Sequence, residues 1–394
     1  MSKRRSALRV VTVAFGWFVF AHPAAAQGTA PIDSLRGSLL ALGSPLGSAQ
    51  GLSALASLAS LEVSTAPLGT STGGFTFTFD PLLRTWKRSA SSFGPAFAER
   101  SLTTGKAKIS AGFNWLHASY NSFDGQDLKN GDFKPAQNIR GLAQTYSSLT
   151  LHLSTDTVVM YAHAGVTDDF DIGVAVPWIR VSMDAEGGFF NASGVKLAEA
   201  SIPPATAYGV GDIALFGKYR VLRQQDGGLS AAVELRLRTG DKNALRGLDV
   251  TRTLISGIWS KGGRVSPHAN IGYEFWSDSV PISQSGDVFV KNQFKYAVGV
   301  ELETHPRATV VVDLVGRRLL HGGKTGYQTF PGPGGTSIDA LVGLPEGTNQ
   351  LSLVPGVKWN AWRSVLITGN VLASLANSGL RANVVPVVGV DWTF

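Results

Sequence analysis

Cysteine is absent from this sequence of 394 residues. Disulfide bonds, zinc-thiolate sites and cysteine nucleophiles are therefore excluded together. Charge is also scarce, because Asp, Glu, Lys and Arg make up 16% of the chain, whereas a soluble domain normally has about 25%. Glycine is abundant, with 46 residues, and the apolar content of 44% is ordinary. The shortage of charge indicates that much of the folded surface does not face water.

Long apolar runs are missing beyond residue 26. No later window holds about 18 consecutive apolar residues, so the sequence offers no transmembrane helix. In lipid, only helices and closed β-barrels satisfy every backbone polar group. If this chain lies in a membrane, it must therefore be a barrel.

The first residues form an export signal. Basic residues up to Arg9 precede a short apolar stretch at 10–21, and Ala24-Ala25-Ala26 fits a cleavage site. The apolar stretch is shorter than the roughly 20 residues that a spanning helix needs. We predict that residues 1–26 are removed as a signal peptide and that the protein reaches the cell outer membrane. The mature chain has no basic cluster or nucleic-acid motif, so no nucleic-acid partner is predicted.

From Lys106 onward, apolar and polar residues alternate, as they do in strands of a membrane barrel. Near the start of this region, Ile109 and Phe113 alternate with Ser110 and Asn114. A soluble β-sandwich would bury such a stripe equally well. The connections favour a barrel, because short turns alternate strictly with long loops. The short turns fall at 167–169, 225–227, 261–263, 305–307 and 361–363, and the loops at 121–145, 185–208, 239–249, 277–287, 321–348 and 376–381.

This pattern predicts an all-β fold, a transmembrane antiparallel up-and-down β-barrel of about 12 strands over residues 106–394. The predicted strands are 106–120, 146–166, 170–183, 210–223, 229–240, 250–260, 264–276, 288–303, 308–320, 349–360, 364–375 and 382–394. A turn at Thr155-Asp156 would split the second strand and change the count. The last strand ends on Phe394, which resembles the signal that the barrel-assembly machinery recognises. This machinery and outer-membrane lipid are the predicted partners, together with a small hydrophobic solute.

Residues 27–105 differ from the barrel region. The stretch from Leu39 to Leu61 is poor in charge and rich in Leu, Ala and Ser, which allows an apolar helix or a low-complexity loop. Alternation between Phe75 and Phe79 predicts a short strand. We interpret residues 27–105 as a plug inside or below the barrel. A leader followed by one extra strand is the alternative, and the sequence leaves both open.

Four short motifs resemble an outer-membrane family named for the meta-pathway of phenol degradation. They are GVGDIALFGKYR at 209–220, LRLRTGD at 235–241, HANIGY at 268–273 and LVPGVK at 353–358, and their order agrees with that family. The resemblance covers roughly residues 93–394, although the family usually has Pro where this chain has Arg238. It implies a passive uptake barrel for hydrophobic or aromatic compounds, similar to the long-chain fatty-acid transporters.

Motifs for catalysis, cofactors and metals are missing. The glycines at 209 and 211 precede a strand and lack the third glycine of a dinucleotide loop. No G-x-S-x-G nucleophile motif occurs. Ser266, His268 and Asn270 share one strand face, as in a barrel phospholipase, but steps of about 7 Å are too long for a direct relay. No enzyme activity, cofactor or metal is predicted.

With aliphatic residues outward, polar residues of the strands line the interior. The predicted lumen residues carry both signs of charge: Lys108, Asn114, Asp212, Lys218, Arg220, Glu234, Arg236, Arg238, His268, Glu274, Lys295, Glu301, Asp313 and Lys358. They suit both a paired network that stiffens a narrow barrel and a polar wall around a permeation path. A hydrophobic solute also needs an apolar capture surface. Its candidates are Phe75, Phe77, Phe79, Phe93, Phe97, Phe189 and Phe190, of which the first five could instead only pack the N-terminal segment against the wall.

The predicted function is passive transport of small hydrophobic molecules, including aromatic ones, through the outer membrane. Twelve strands enclose a narrower interior than those of porins, so side chains or the N-terminal segment are expected to fill part of it. A structural or adhesive barrel without transport is the alternative, followed by a barrel lipid hydrolase.

Overall fold

In the described part of the chain, four elements precede the barrel strands. The computed structural model describes residues 34–65, 74–80, 85–140, 145–224, 227–331 and 337–394, with the backbone alone at 78–80, 85–87 and 138–140. The signal peptide predicted at 1–26 lies outside the described residues. The four elements are helix α1 (Leu35–Ala41), helix α2 (Ala49–Ser64), strand β1 (Phe77–Asp80) and strand β2 (Thr85–Arg88), and the two strands pair as a hairpin.

Serine caps begin both helices. Ser34 Oγ accepts a hydrogen bond from the backbone N–H of Gly37 at 2.8 Å, and Ser48 Oγ accepts one from Gly51 at 3.2 Å. Helix α2 consists largely of Ala, Leu and Ser, and Glu62 is its one charged residue. The stretch that allowed a helix or a loop thus folds as two helices joined by a turn.

Twelve antiparallel strands form a closed barrel. They are β3 (Ile109–Tyr120), β7 (Tyr146–Gly165), β8 (Phe170–Phe190), β10 (Ala214–Gln224), β11 (Gly227–Arg236), β12 (Arg252–Ser260), β13 (Val265–Trp276), β15 (Phe289–His305), β16 (Ala308–Pro331), β18 (Asn349–Trp362), β19 (Val365–Ser374) and β21 (Val384–Thr393). Each strand pairs with the next of these along the chain, and β21 pairs with β3, which closes the ring. The predicted fold class and strand number are confirmed.

Other strands belong to the long connections. In the described part of the chain these are β4 (Ser122–Phe123), β5 (Gln126–Asp127), β6 (Ala136–Arg140), β9 (Lys196–Val210), β14 (Val280–Pro281), β17 (Ser337–Glu346) and β20 (Leu380–Arg381). Two predicted loops are therefore wrong, because the end of β8 and β9 occupy 185–208, and the end of β16 and β17 occupy 321–348. These segments pair through their backbones without a continuous aliphatic stripe, so their sequence carries no clear strand pattern.

Segment 146–166 is one strand, as predicted. Thr155 and Asp156 lie within β7 and pair with Val181 and Arg180 of β8, so no turn interrupts the strand. The barrel consequently has two distinct ends. The short turns, the start of β3 and Phe394 lie at one end, which we call the short-turn end. The extended strands and longer connections lie at the other, which we call the long-loop end.

Side-chain exposure alternates along the barrel strands. In β12, Arg252 and Ile258 point inward and are buried, whereas Ile255 and Trp259 point outward with 52% and 41% exposure. This is the alternation that the sequence predicts, with apolar residues outside.

Helix α2 lies inside the ring, toward the long-loop end. It contacts β14, β16, β17 and β20, and every residue from Gly51 to Leu61 is buried. A Cβ on Gly51 would stand 2.8 Å from the backbone oxygen of Leu341, so glycine allows the helix to approach β17 closely. Leucines of α1 and α2 join side chains of the surrounding strands in the largest apolar core. Among the described residues, helices are too short or too polar to cross a membrane.

Candidate functional site

Arginine side chains from three strands converge on the C-terminal end of α2. Arg236 of β11 and Arg252 of β12 each donate a hydrogen bond to the carbonyl oxygen of Ser64, both at 3.2 Å. Arg317 of β16 donates to the carboxylate of Glu62. The carbonyl end of a helix carries partial negative charge, which guanidinium groups stabilise.

Glu62 completes this arrangement. Arg381 of β20 places Nη1 3.6 Å from Glu62 Oε1, and Arg317 also donates to Thr65 Oγ1. Burial lowers the pKa of Arg381, whereas the Glu62 carboxylate raises it. We call Arg236, Arg252, Arg317 and Arg381 the arginine cluster. It holds the end of α2 at a fixed depth in the ring.

A set of paired charges continues from the arginine cluster around the inner wall. The pairs are Asp212 with Arg252 at 2.9 Å, Glu274 with Lys295 at 2.5 Å, and Glu234 with Arg236. Trp276 donates its indole N–H to Glu274 at 2.8 Å. Buried charges are stable only when they are paired and hydrogen-bonded, so this part of the lumen is a connected network.

Residues 92–104, which we call the wall segment, follow the inner surface toward the short-turn end. Asp313 Oδ2 accepts hydrogen bonds from the backbone N–H groups of Ala96, Phe97 and Ala98 at 2.9, 3.0 and 3.1 Å. Asp313 Oδ1 lies 2.8 Å from His268 Nε2. One inward carboxylate therefore anchors three consecutive residues through charge-assisted hydrogen bonds.

Further inward side chains hold the wall segment along neighbouring strands. The acceptors of its backbone N–H groups are Glu301 for Gly94 at 3.0 Å, Asn270 for Glu99 at 2.6 Å, Ser260 for Ser101 at 2.9 Å and Asp171 for Thr104 at 2.7 Å. Lys218 donates to the carbonyl oxygen of Arg100 at 3.2 Å. Because strands from β8 to β16 contribute these groups, the wall segment lies inside the ring.

A cavity of about 260 Å³ lies between the end of α2 and the wall segment. Its charged lining residues include Glu62, Arg236, Lys295, Arg317 and Arg381, and its apolar ones include Phe97, Leu254, Ile258, Val315 and Leu372. A protein cavity of about 150 Å³ already holds benzene. The space therefore suits a small organic molecule with an apolar body and a polar group.

Most of the predicted lumen residues lie on the inner face. The buried ones are Asp212, Lys218, Arg220, Arg236, His268, Glu274, Glu301, Asp313 and Lys358. Glu234, Arg236 and Lys295 come together at the large cavity. Asn114 and Lys358 instead line a second cavity of about 20 Å³, with Tyr161 and Asp391.

One predicted lumen residue lies elsewhere. Strand β11 ends at Arg236, so Arg238 falls in the following loop, where it is exposed to solvent. This departure arises at a strand end, where alternation no longer decides which face a side chain takes. Lys108 precedes β3 and is half-buried, and its Nζ lies 5.1 Å from the ring centroid of Phe77 in the N-terminal segment.

Of the predicted capture phenylalanines, Phe97 lines the large cavity. Phe75, Phe77 and Phe93 pack instead with Leu366 in a separate apolar cluster. Their position favours the alternative role, packing of the N-terminal segment against the wall. Phe189 and Phe190 lie in the extended end of β8, where Phe190 stacks on Tyr146 at 5.4 Å, and the side chain of Phe79 lies outside the described residues.

Arg88 covers this phenylalanine cluster. Its guanidinium carbon lies 4.2 Å from the ring centroid of Phe93, which is a cation–π contact. Burial lowers the pKa of Arg88 to about 10. The group remains charged at neutral pH, so the contact persists there.

Ser266, His268 and Asn270 do not form a catalytic relay. Ser266 Oγ donates to the carbonyl oxygen of Gly263 at 2.8 Å, and Asn270 Nδ2 donates to that of Glu99 at 2.9 Å. His268 contacts Asp313, as described above. Within the described ranges, His, Asp and Glu residues form no group of three able to hold a metal ion.

Apart from Arg236, the residues at the end of α2 were not predicted from the sequence. Arg252 shares the inward parity of Leu254 and Ile258 on β12, so alternation could have identified it. Glu62 stands out as the one charge of an apolar helix. Nothing in the sequence brings Glu62 to Arg317, because that pair depends on how deep the helix lies in the ring.

No family model matches this sequence, and no curated protein matches it. The resemblance to the meta-pathway phenol family therefore stays a prediction. Solved structures do show similarity. An outer membrane channel from Pseudomonas putida F1 has 11% identity and a TM-score of 0.49, covering 75% of this chain and 98% of that chain.

Two further solved structures are more distant. A Pseudomonas aeruginosa FadL homologue has 13% identity and a TM-score of 0.35, covering 84% of this chain and 98% of that chain. The Ralstonia pickettii toluene transporter TbuX has 12% identity and a TM-score of 0.29, covering 76% of this chain and 92% of that chain. The barrel architecture follows from the strand pairing of this chain itself.

Proposed function

We propose that this protein is a passive channel in the outer membrane for small hydrophobic molecules, including aromatic ones. The observation that carries the proposal is the cavity of about 260 Å³ inside the ring. Its apolar residues, such as Phe97 and Leu254, suit an aromatic or aliphatic body. Its charged residues, such as Lys295 and Arg317, suit a single polar substituent.

The outward face of the ring supports placement in a membrane. Ile255, Ile271 and Val298 are exposed by 52%, 66% and 51%, and similar residues cover other strands. Soluble monomers rarely expose so wide an apolar band, and lipid tails would cover it. Together with the predicted signal peptide, this band supports an outer-membrane location. In the same proposal, the assembly machinery recognises the last strand through Phe394.

The N-terminal segment supports a plugged form of such a channel. Residues of α2 and of the wall segment border the cavity on two sides. We therefore propose that residues 27–105 act as a plug, that residues 106–394 form the conducting barrel, and that part of the plug shifts when a solute passes.

Filling the cavity tests the transport proposal. Leu254→Trp adds an indole on the inward face of β12, whereas Ile255→Trp places the same group on the outward face beside it. We expect liposomes with the unmodified protein to take up a small aromatic alcohol. Leu254→Trp should reduce the uptake rate about tenfold, because an overpacked cavity has no room for the solute, and Ile255→Trp should leave it unchanged.

Two results would contradict the proposal. Equal uptake by the Leu254→Trp variant and the unmodified protein would remove the cavity from the path. No uptake by the unmodified protein, despite its insertion into liposomes, would favour a structural or adhesive barrel.

A further inference from the structure

Basic side chains are concentrated at the short-turn end of the barrel. They are Arg223 near the end of β10, and Lys261, Arg264, Arg307 and Arg363 at the turns β12–β13, β15–β16 and β18–β19, all exposed. We call these five residues the basic collar. The β7–β8 turn contributes Asp168 and Asp169, which are both half-buried, and Asp169 Oδ2 lies 2.5 Å from Arg223 Nη2.

The other four collar residues are not neutralised by such a pair. Among the residues that the structure describes, Lys261, Arg264, Arg307 and Arg363 form no ion pair with a carboxylate. Each projects from a tight turn between two barrel strands, so the scaffold beneath it is rigid. Their positive charge is therefore available to a partner outside the protein.

The collar directly adjoins the apolar outer face. Trp259 and Val265, exposed by 41% and 56%, flank the turn that carries Lys261 and Arg264. Trp362 is exposed by 69% and precedes Arg363 in the chain. The guanidinium carbon of Arg363 lies 5.5 Å from the ring centroid of Trp362. Exposed tryptophans mark the boundary between lipid tails and headgroups. Long basic side chains at that boundary extend toward the headgroups.

The long-loop end carries exposed charges of both signs. There, exposed basic residues such as Lys129 and Lys324 lie among exposed acidic ones such as Asp132 and Asp287. Pairs also form between Lys242 and Asp249 at 3.0 Å and between Lys196 and Glu199 at 3.3 Å. At the described residues of the short turns, by contrast, the exposed charged side chains are all basic.

We propose that the basic collar binds the phosphate groups of anionic phospholipids in the leaflet at the short-turn end. This inference rests on the membrane placement proposed above and adds a specific lipid partner to it. Exposed cations beside a lipid-facing belt attract anionic headgroups. The attraction weakens as salt screens the charges, over a distance of about 10 Å at 0.1 M salt.

Quenching of tryptophan fluorescence by brominated lipids tests this inference. The full mature protein is reconstituted into phosphatidylcholine vesicles that contain brominated phosphatidylglycerol or, in parallel, brominated phosphatidylcholine at the same mole fraction. At low salt, we expect the relative affinity for the anionic lipid to exceed that for the zwitterionic one about threefold. The preference should disappear near 1 M salt, where the screening length is about 3 Å.

A variant that replaces Lys261, Arg264, Arg307 and Arg363 with Gln should bind both lipids equally. Its matched control replaces Lys196, Arg238, Lys242 and Lys324 with Gln at the long-loop end, which removes the same charge and should keep the preference. If both variants lost the preference for the anionic lipid equally, the inference would be overturned. So would the lack of any preference, or of its salt dependence, in the unmodified protein. Quenching by brominated phosphatidylcholine reports membrane insertion separately, so its absence would instead contradict the proposed location.

Discussion

The carboxylate of Asp313 illustrates how much of the interior depends on one residue. It holds the wall segment at three consecutive N–H groups and contacts His268 on its other side. The carboxylate cannot rotate without breaking these contacts, because both of its oxygens take part in them. Asp313 consequently fixes the position of the wall segment against β16 beside the cavity.

Replacing Asp313 with Asn tests this anchoring. Asn is similar in shape but uncharged, so its hydrogen bonds to Ala96, Phe97 and Ala98 should weaken. A hydrogen bond to a charged group contributes about 1.5–3 kcal/mol. We therefore expect amide hydrogen exchange at these three residues to accelerate by about tenfold or more, as measured by mass spectrometry of the protein in detergent micelles.

Asp249→Asn is the control for this experiment. Asp249 is an exposed loop residue paired with Lys242, so its replacement should leave exchange in the wall segment unchanged. Unaltered exchange in the Asp313→Asn variant would show that the segment is held by other contacts.

At the scale of elements, α2 depends on the contact between Glu62 and the arginine cluster. The helix has no other charged residue, and the Glu62 carboxylate contacts Arg317 and Arg381 at its end. Removal of one partner from a buried pair costs more than the pair itself contributes, because the other charge is left buried without compensation.

We expect Arg317→Gln to lower the free energy of unfolding by about 2 kcal/mol. This is less than the loss for a fully buried pair, because the site is partly exposed. The double variant with Glu62→Gln should lose less than the sum of the two single variants. Urea unfolding in lipid vesicles measures these changes. As a control, Lys242→Gln breaks an exposed pair and should lower the free energy of unfolding by less than about 1 kcal/mol. If the losses of the Glu62 and Arg317 variants were additive, the two side chains would act independently.

The elements differ in how well the sequence predicts them. Barrel strands such as β12 are recognised from the sequence, because the face of each strand that contacts lipid must be apolar along its whole length. The extended parts of β8 and β16 do not, since backbone pairing beyond the apolar band needs no particular side-chain pattern. For the same reason, alternation assigns inward residues such as Asp313 correctly, while the position of Glu62 depends on the packing of a helix far away in sequence.

At the scale of the whole molecule, transport as proposed requires the N-terminal helices to move relative to the barrel. The chain lacks cysteine, so one engineered disulfide can hold them in place. A Cβ at Gly47, between the helices, would lie 3.7 Å from the Cβ of Ala136 in β6, and disulfides form at Cβ separations of about 3.5–4.5 Å. Gly47 has a φ of 69°, so the cysteine there adds strain of about 1–2 kcal/mol.

We expect the oxidised Gly47→Cys/Ala136→Cys variant to transport a small aromatic alcohol into liposomes more slowly than its reduced form. The single variant Gly47→Cys serves as the control and should respond little to reductant. The same rate in the oxidised and reduced double variant would mean that these helices stay in place during transport.

The pairing of β21 with β3 also dictates an order of assembly. The helices precede β3 in the chain, yet they end inside a ring that is sealed by its first and last strands. Because α2 is surrounded so tightly, sliding it lengthwise into a finished tube would meet side chains on every side. We expect it to dock on a still-open sheet, so that this N-terminal segment acts as a template around which β21 and β3 finally pair.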